Sequence, residues 1–121
     1  MLRSLHCEGG IGTTIKKAKK ILTDNTNIVH YFCKQTGQDI PVGTLREIFF
    51  VNQLAYQQPV YYTTYGDYTI HRQGKKYCFE IGGKSKKADQ LKQIDHGYVI
   101  KDDILIGSTN TIPLRTCGFL Y

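Results

Sequence analysis

The sequence has no apolar run approaching the roughly 20 residues needed to cross a bilayer. Its first residues, Met1 to Gly12, also lack the apolar stretch of a secretion signal, so a cytoplasmic protein without a membrane partner is expected. No Cys-x-x-Cys pair occurs among Cys7, Cys33, Cys78 and Cys117, which argues against a zinc cluster or a thioredoxin-like redox pair. These cysteines read as reduced, mostly buried thiols. Gly9-Gly10-Ile11-Gly12-Thr13-Thr14 has the glycines of a phosphate loop but lacks the Gly-Lys-Ser/Thr ending of a Walker motif. Neither an internal repeat nor a low-complexity tract interrupts the 121 residues, enough for one domain and too few for two.

What the chain does have is positive charge. The net charge is +6 and the sequence pI about 9.2. The lysines are clumped, at Lys16, Lys17, Lys19 and Lys20, at Lys75 and Lys76, and at Lys84, Lys86 and Lys87. That balance suits a polyanionic partner, nucleic acid above all, with a solvated basic face as the other reading.

Residues 1–19 show no clear period and read as an irregular lead-in to a single domain over 20–121. Lys20-Ile21-Leu22-Thr23 reads as a strand, and Asp24-Asn25 as a turn or helix start before Ile28, Val29, Tyr31 and Phe32. A helix follows, with Thr44 as its cap and Glu47 completing a capping box, and Gln57-Gln58-Pro59 ends it. Val60 to Thr63, Asp67 to Arg72 and Tyr77 to Ile81 read as strands, the last two joined by a tight turn at Gln73-Gly74. Lys86 to Asp95 reads as a helix with Ala88, Leu91 and Ile94 on its apolar side, and Tyr98-Val99-Ile100 as another strand. Asp102-Asp103 then turns into Ile104-Leu105-Ile106, and Pro113 to Tyr121 is an apolar tail that packs back on the body. The core, about 44–101, thus runs helix, strand, strand, strand, helix, strand, an α/β fold with a mixed central sheet flanked by helices.

The hairpin register carries the candidate site. A two-residue turn pairs Arg72 with Lys75, so Tyr68 faces Phe79 and Ile70 faces Tyr77; a one-residue slip would split that apolar face. Asp67 then lies opposite Glu80, with Thr69 and His71 on the same side. Two carboxylates so placed repel, and a divalent cation or a lysine must neutralise them. Lys84 is the nearest lysine past the strand. Acids plus lysine suit Mg²⁺- or Mn²⁺-assisted phosphodiester hydrolysis on DNA, with Asp67 and Glu80 as metal ligands and Glu47 as a possible third. A salt-bridge cluster on a solvated sheet face is the competing reading.

Several segments resemble the C-terminal domain of bacterial and archaeal AAA-type ATPases. These are Val42 to Leu54 (VGTLREIFFVNQL), Gly66-Asp67-Tyr68, Phe79-Glu80-Ile81-Gly82-Gly83-Lys84-Ser85-Lys86, Ile112-Pro113-Leu114 and Gly118-Phe119-Leu120-Tyr121. The resemblance implies a restriction-endonuclease-like αβββαβ core of the PD-(D/E)xK type, with Asp67, Glu80 and Lys84 as catalytic residues. It implies a P-loop ATPase as partner, and it places Gln90 where some relatives use a glutamine near the site. Lys75, Lys76, Lys86 and Lys87, with Gln90, would then hold nucleic acid. The motif's lysine belongs two residues after its second acid, where this chain has Gly82, so Lys84 must reach back. A catalytically inactive module that binds nucleic acid or docks on an ATPase is the alternative.

Overall fold

The computed structural model describes residues 2–6, 20–63, 66–87, 89–91 and 93–119. Strand β1 (Leu2–Leu5) pairs antiparallel with β2 (Lys20–Thr23), Leu5 opposite Lys20. The lead-in expected to be irregular therefore opens with a strand. Its four residues alternate too briefly to show a period, and only Leu5 among them is buried. The glycine-rich stretch Gly9 to Thr14, with Lys16, Lys17 and Lys19, lies outside the described residues.

Helix α1 (Thr26–Thr36) starts where Asn25 accepts a 2.8 Å bond from the Asn27 N–H, and it ends at Gly37, whose φ of 66° suits glycine. Helix α2 (Val42–Ala55) buries Ile48, Phe50, Val51 and Leu54. It begins three residues earlier than its capping-box cue suggests, with Pro41 at the N-cap and no side-chain cap. Thr44 is therefore inside the first turn, and Glu47 is engaged elsewhere.

A five-stranded mixed sheet forms the body, in the order β3 (Tyr61–Tyr62), β4 (Tyr68–Arg72), β5 (Lys75–Gly82), β6 (Gly97–Lys101), β7 (Thr111–Pro113). The first three strands are antiparallel neighbours, while β5, β6 and β7 run parallel. Gln73 and Gly74 both take positive φ, 53° and 74°, as the tight hairpin turn requires. The turn sets the expected register: Arg72 opposite Lys75, Ile70 opposite Tyr77 and Tyr68 opposite Phe79.

The sheet has two faces because strand side chains alternate. Tyr68, Ile70, Phe79, Ile81 and Ile100 join Phe50 of α2 in the main core. Cys78 and Val99 point the other way and pack on Leu91. That second face is not covered by the helix expected over Lys86 to Asp95. The stretch makes a 3₁₀ turn at Asp89–Leu91, and the Ile94 N–H bonds back only three residues, to the Leu91 carbonyl at 3.0 Å. Leu91 must also come close to Gly97, where a Cβ would stand 2.9 Å from that of Leu91. Ile104-Leu105-Ile106 stays out of the sheet, since the chain needs a connection there to bring β7 parallel to β6. The apolar tail does pack back: a 3₁₀ helix (Leu114–Phe119) buries Leu114 and Cys117, and burial pushes the Cys117 thiol up to about 11.

Two glycines test this account. At Gly74 a Cβ meets nothing within 4 Å, so Gly74→Ala carries only the backbone cost of the left-handed conformation. That cost is about 1 kcal/mol, a drop of roughly 3–6 °C in thermal midpoint. Gly43→Ala, also in open space but inside α2, is expected to raise the midpoint instead.

Candidate functional site

Glu80 stands in the middle of β5, 4% exposed, on the face of Cys78 and Val99. A carboxylate there needs a cation, and Lys86 supplies it, with Nζ 3.7 Å from Glu80 Oε1. The other oxygen, Oε2, is buried without a hydrogen-bond partner among the described residues. Lys86 reaches Glu80 by crossing Gly82. A Cβ on Gly82 would lie 2.7 to 2.8 Å from the Cβ, Cγ and Cδ of Lys86. The lysine stem thus fills the place a side chain at position 82 would take.

Lys84, expected to reach back to the acids, is instead exposed at the turn after β5, where its side chain makes no ion pair with Glu80. The reason is geometric: the Lys86 N–H bonds to the Gly83 carbonyl at 3.0 Å, and this tight turn brings Lys86 back over the strand.

Asp67 lies just before β4. Its Oδ2 accepts a 2.8 Å bond from the Ile81 N–H, and its own N–H donates to the Phe79 carbonyl at 2.8 Å. The Ile81 N–H points along the sheet toward β4, so this carboxylate extends the β4–β5 ladder in the sheet plane. Close by, a Cβ at Gly66 (φ 93°) would stand 3.1 Å from the Phe79 carbonyl oxygen and 3.2 Å from Leu91.

Glu47 belongs to the opposite face. Helix α2 carries it toward Tyr68, whose hydroxyl donates to Glu47 Oε2 at 2.5 Å, and Lys20 Nζ reaches the same oxygen at 2.6 Å. The Lys20 ammonium also lies 4.7 Å from the centre of the Tyr68 ring. Burial, the bond to Glu47, and the charges of Glu47 and Asp67 together hold the Tyr68 phenol far above its ordinary range.

The acids expected to share a metal are therefore divided: Glu80 on one face, Glu47 on the other, Asp67 in the plane. No group of three His, Cys, Asp or Glu side chains suited to a metal ion occurs among the described residues. The cation beside Glu80 in this arrangement is the ammonium of Lys86.

The remaining candidates lie outward. Lys75 and Lys76 are exposed at the hairpin end and Lys87 in the turn after β5. Gln90 is in the 3₁₀ turn, with its side chain outside the described ones. His71 is exposed with its ring near Tyr61, about four residues, or roughly 13 Å, along the strand from Glu80's level. The roles of Lys86, Tyr68 and Lys20 were missed. The one signal for Lys86 was Gly82, a position without a side chain, with a lysine four residues on. No family model, curated protein or solved structure matches the chain.

Two predictions follow from this geometry. Lys86→Met leaves Glu80 buried without its cation and is expected to cost about 1–3 kcal/mol in chemical unfolding. Lys84→Met should stay within about 0.5 kcal/mol, as for a surface change. The Glu80→Gln/Lys86→Met double variant should recover part of the loss. Tyr68→Phe gives a pH test. A phenol whose pKa rises on folding stabilises the protein below the unfolded value of about 10, and that contribution fades as pH climbs above it. Wild type should exceed Tyr68→Phe by about 1–3 kcal/mol at neutral pH, and the gap should narrow above about pH 10.

Proposed function

We propose that this domain is a nuclease-fold module that holds nucleic acid without cutting it. The order helix, three antiparallel strands, turn and parallel strand supports the reading of a restriction-endonuclease-like αβββαβ core whose second helix would be reduced to a 3₁₀ turn. The observation carrying the non-catalytic reading is the Glu80–Lys86 pair over Gly82. Hydrolysis of a phosphodiester would require the carboxylates and the lysine to face a shared metal and substrate. Here each acid is engaged within the fold, Glu80 by Lys86, Asp67 by the Ile81 N–H, and Glu47 by Lys20 and Tyr68.

Binding draws on the charge. The chain carries +6, and Arg72, Lys75, Lys84 and Lys87 are exposed. Phosphates neutralised by such side chains release counterions, which makes affinity fall steeply with salt. A P-loop ATPase would be the macromolecular partner that delivers or remodels the nucleic acid.

Purified protein incubated with plasmid and single-stranded DNA, in Mg²⁺, Mn²⁺ or EDTA, is expected to leave both uncut while shifting them at low salt. With about four phosphate contacts, the log–log salt slope on duplex should be near −3 to −4. Metal-dependent cleavage that disappears in Asp67→Ala and Glu80→Ala would overturn the non-catalytic reading. Absence of any shift at low salt would overturn the binding one.

A further inference from the structure

At the hairpin end of the sheet face that bears α2, a depression of about 510 Å³ opens between Ile70, Arg72, Tyr77, Phe79, Tyr98 and Ile112. Three aromatic rings form its floor. Tyr77 and Tyr98 are nearly parallel, 6.4 Å apart with 25° between planes, and Phe79 lies 6.0 Å from Tyr98 at 29°. His96 leans on the outer side of Tyr77 at 5.0 Å. Phe79 is buried, whereas Tyr77 and Tyr98 are half-buried and keep part of their surface open to solvent.

The rim is basic. Strand alternation puts Arg72 and Lys75, opposite each other at the end of the hairpin, on the same face as Ile70 and Tyr77. Both are exposed, and neither forms an ion pair among the described residues. Among the described residues no acidic one lines the depression. Half-open rings edged by cations with no acid to offset them are complementary to bases carried on a phosphate backbone.

We infer that this face binds single-stranded nucleic acid, Tyr77 and Tyr98 stacking on bases while Arg72 and Lys75 hold the adjoining phosphates. The inference deepens the nucleic-acid reading above and rests on it. Single strands are favoured because a duplex keeps its base faces stacked inside, where tyrosines on a sheet cannot reach them. Stacking tolerates any base, so little sequence preference is expected.

Fluorescence anisotropy of the whole chain with labelled oligo-dT, oligo-rU and a duplex of equal length tests this. Either single strand should bind more tightly than the duplex, and the dT and rU arms show whether DNA or RNA is preferred. Tyr98→Ala should weaken single-strand binding by about tenfold, while Tyr98→Phe, which keeps the stacking face, should stay close to wild type. Arg72→Ala should lower the log–log salt slope by about 0.7. Because Tyr98 also borders the core, its variants are checked by thermal melting. Arg72→Glu, at an exposed position, gives a second measure and should weaken single-strand binding without shifting the melt. Duplex bound as tightly as single strands, with Tyr98→Ala and Arg72→Glu unchanged, overturns the platform and leaves the broader nucleic-acid reading standing. Failure to bind any of the three ligands at low salt overturns both.

Discussion

Glu80 lies in the central strand of the sheet with almost no exposed surface, and a charge buried that deeply must be compensated by the chain around it. Lys86 compensates it, and the path of that one side chain explains much of the local sequence. Position 82 must be a glycine, because the lysine stem runs where a Cβ would go. The chain must turn sharply after β5, and the bond from the Lys86 N–H to the Gly83 carbonyl marks that turn. Having doubled back, the segment places Leu91 on Cys78 and Val99 and leaves a single 3₁₀ turn in place of a full helix.

A second set of charges fastens the opposite face. Arg46 and Glu47 are adjacent on α2 yet reach different parts of the fold. Arg46 bonds Asp102 at 3.0 Å just past the end of β6, and its guanidinium lies over Gly83. Glu47 gathers Lys20 from the N-terminal hairpin and Tyr68 from β4. One turn of one helix thus joins β2, β4 and the end of β6 above the apolar core around Phe50. Because these pairs are partly exposed, the buried rings should provide most of the stabilisation and the ions most of the placement.

How much of this the sequence disclosed depended on how local the cause was. The β4–β5 register was legible because a two-residue turn and an alternating apolar face both specified it, and Tyr68 meets Phe79 as expected. The helix over Val42–Ala55 was legible from its apolar stripe, but its start was not: Thr44 and Glu47 spell a capping box that the fold does not use. Glu47 instead answers to Lys20 and Tyr68, 27 and 21 residues away, and no local pattern announces such partners. The same limit hid the exchange of Lys84 for Lys86. Spacing ranks lysines by nearness along the chain, whereas the turn at Gly83 ranks them by nearness in space. Past the turn at Asp102-Asp103 the sheet pairing goes not to Ile104 to Ile106 but to Thr111–Pro113, because a parallel neighbour needs a connection first.

The internal ion pairs also bear on where the excess charge goes. Lys86 with Glu80, Lys20 with Glu47, and Arg46 with Asp102 each cancel within the fold, so these pairs leave the net charge of +6 untouched. The surplus must therefore belong to side chains outside them, and exposed Arg72, Lys75, Lys84 and Lys87 are among these. A surplus carried outward draws polyanions in and raises the encounter rate, though it leaves open what happens on contact. At the hairpin end contact means half-open tyrosine rings beside Arg72 and Lys75. At Glu80 it would mean a carboxylate already closed off by its own lysine. The two ends of the sheet therefore differ in kind: the hairpin end presents half-open rings beside exposed cations, and the Glu80 end a carboxylate covered by an ion pair.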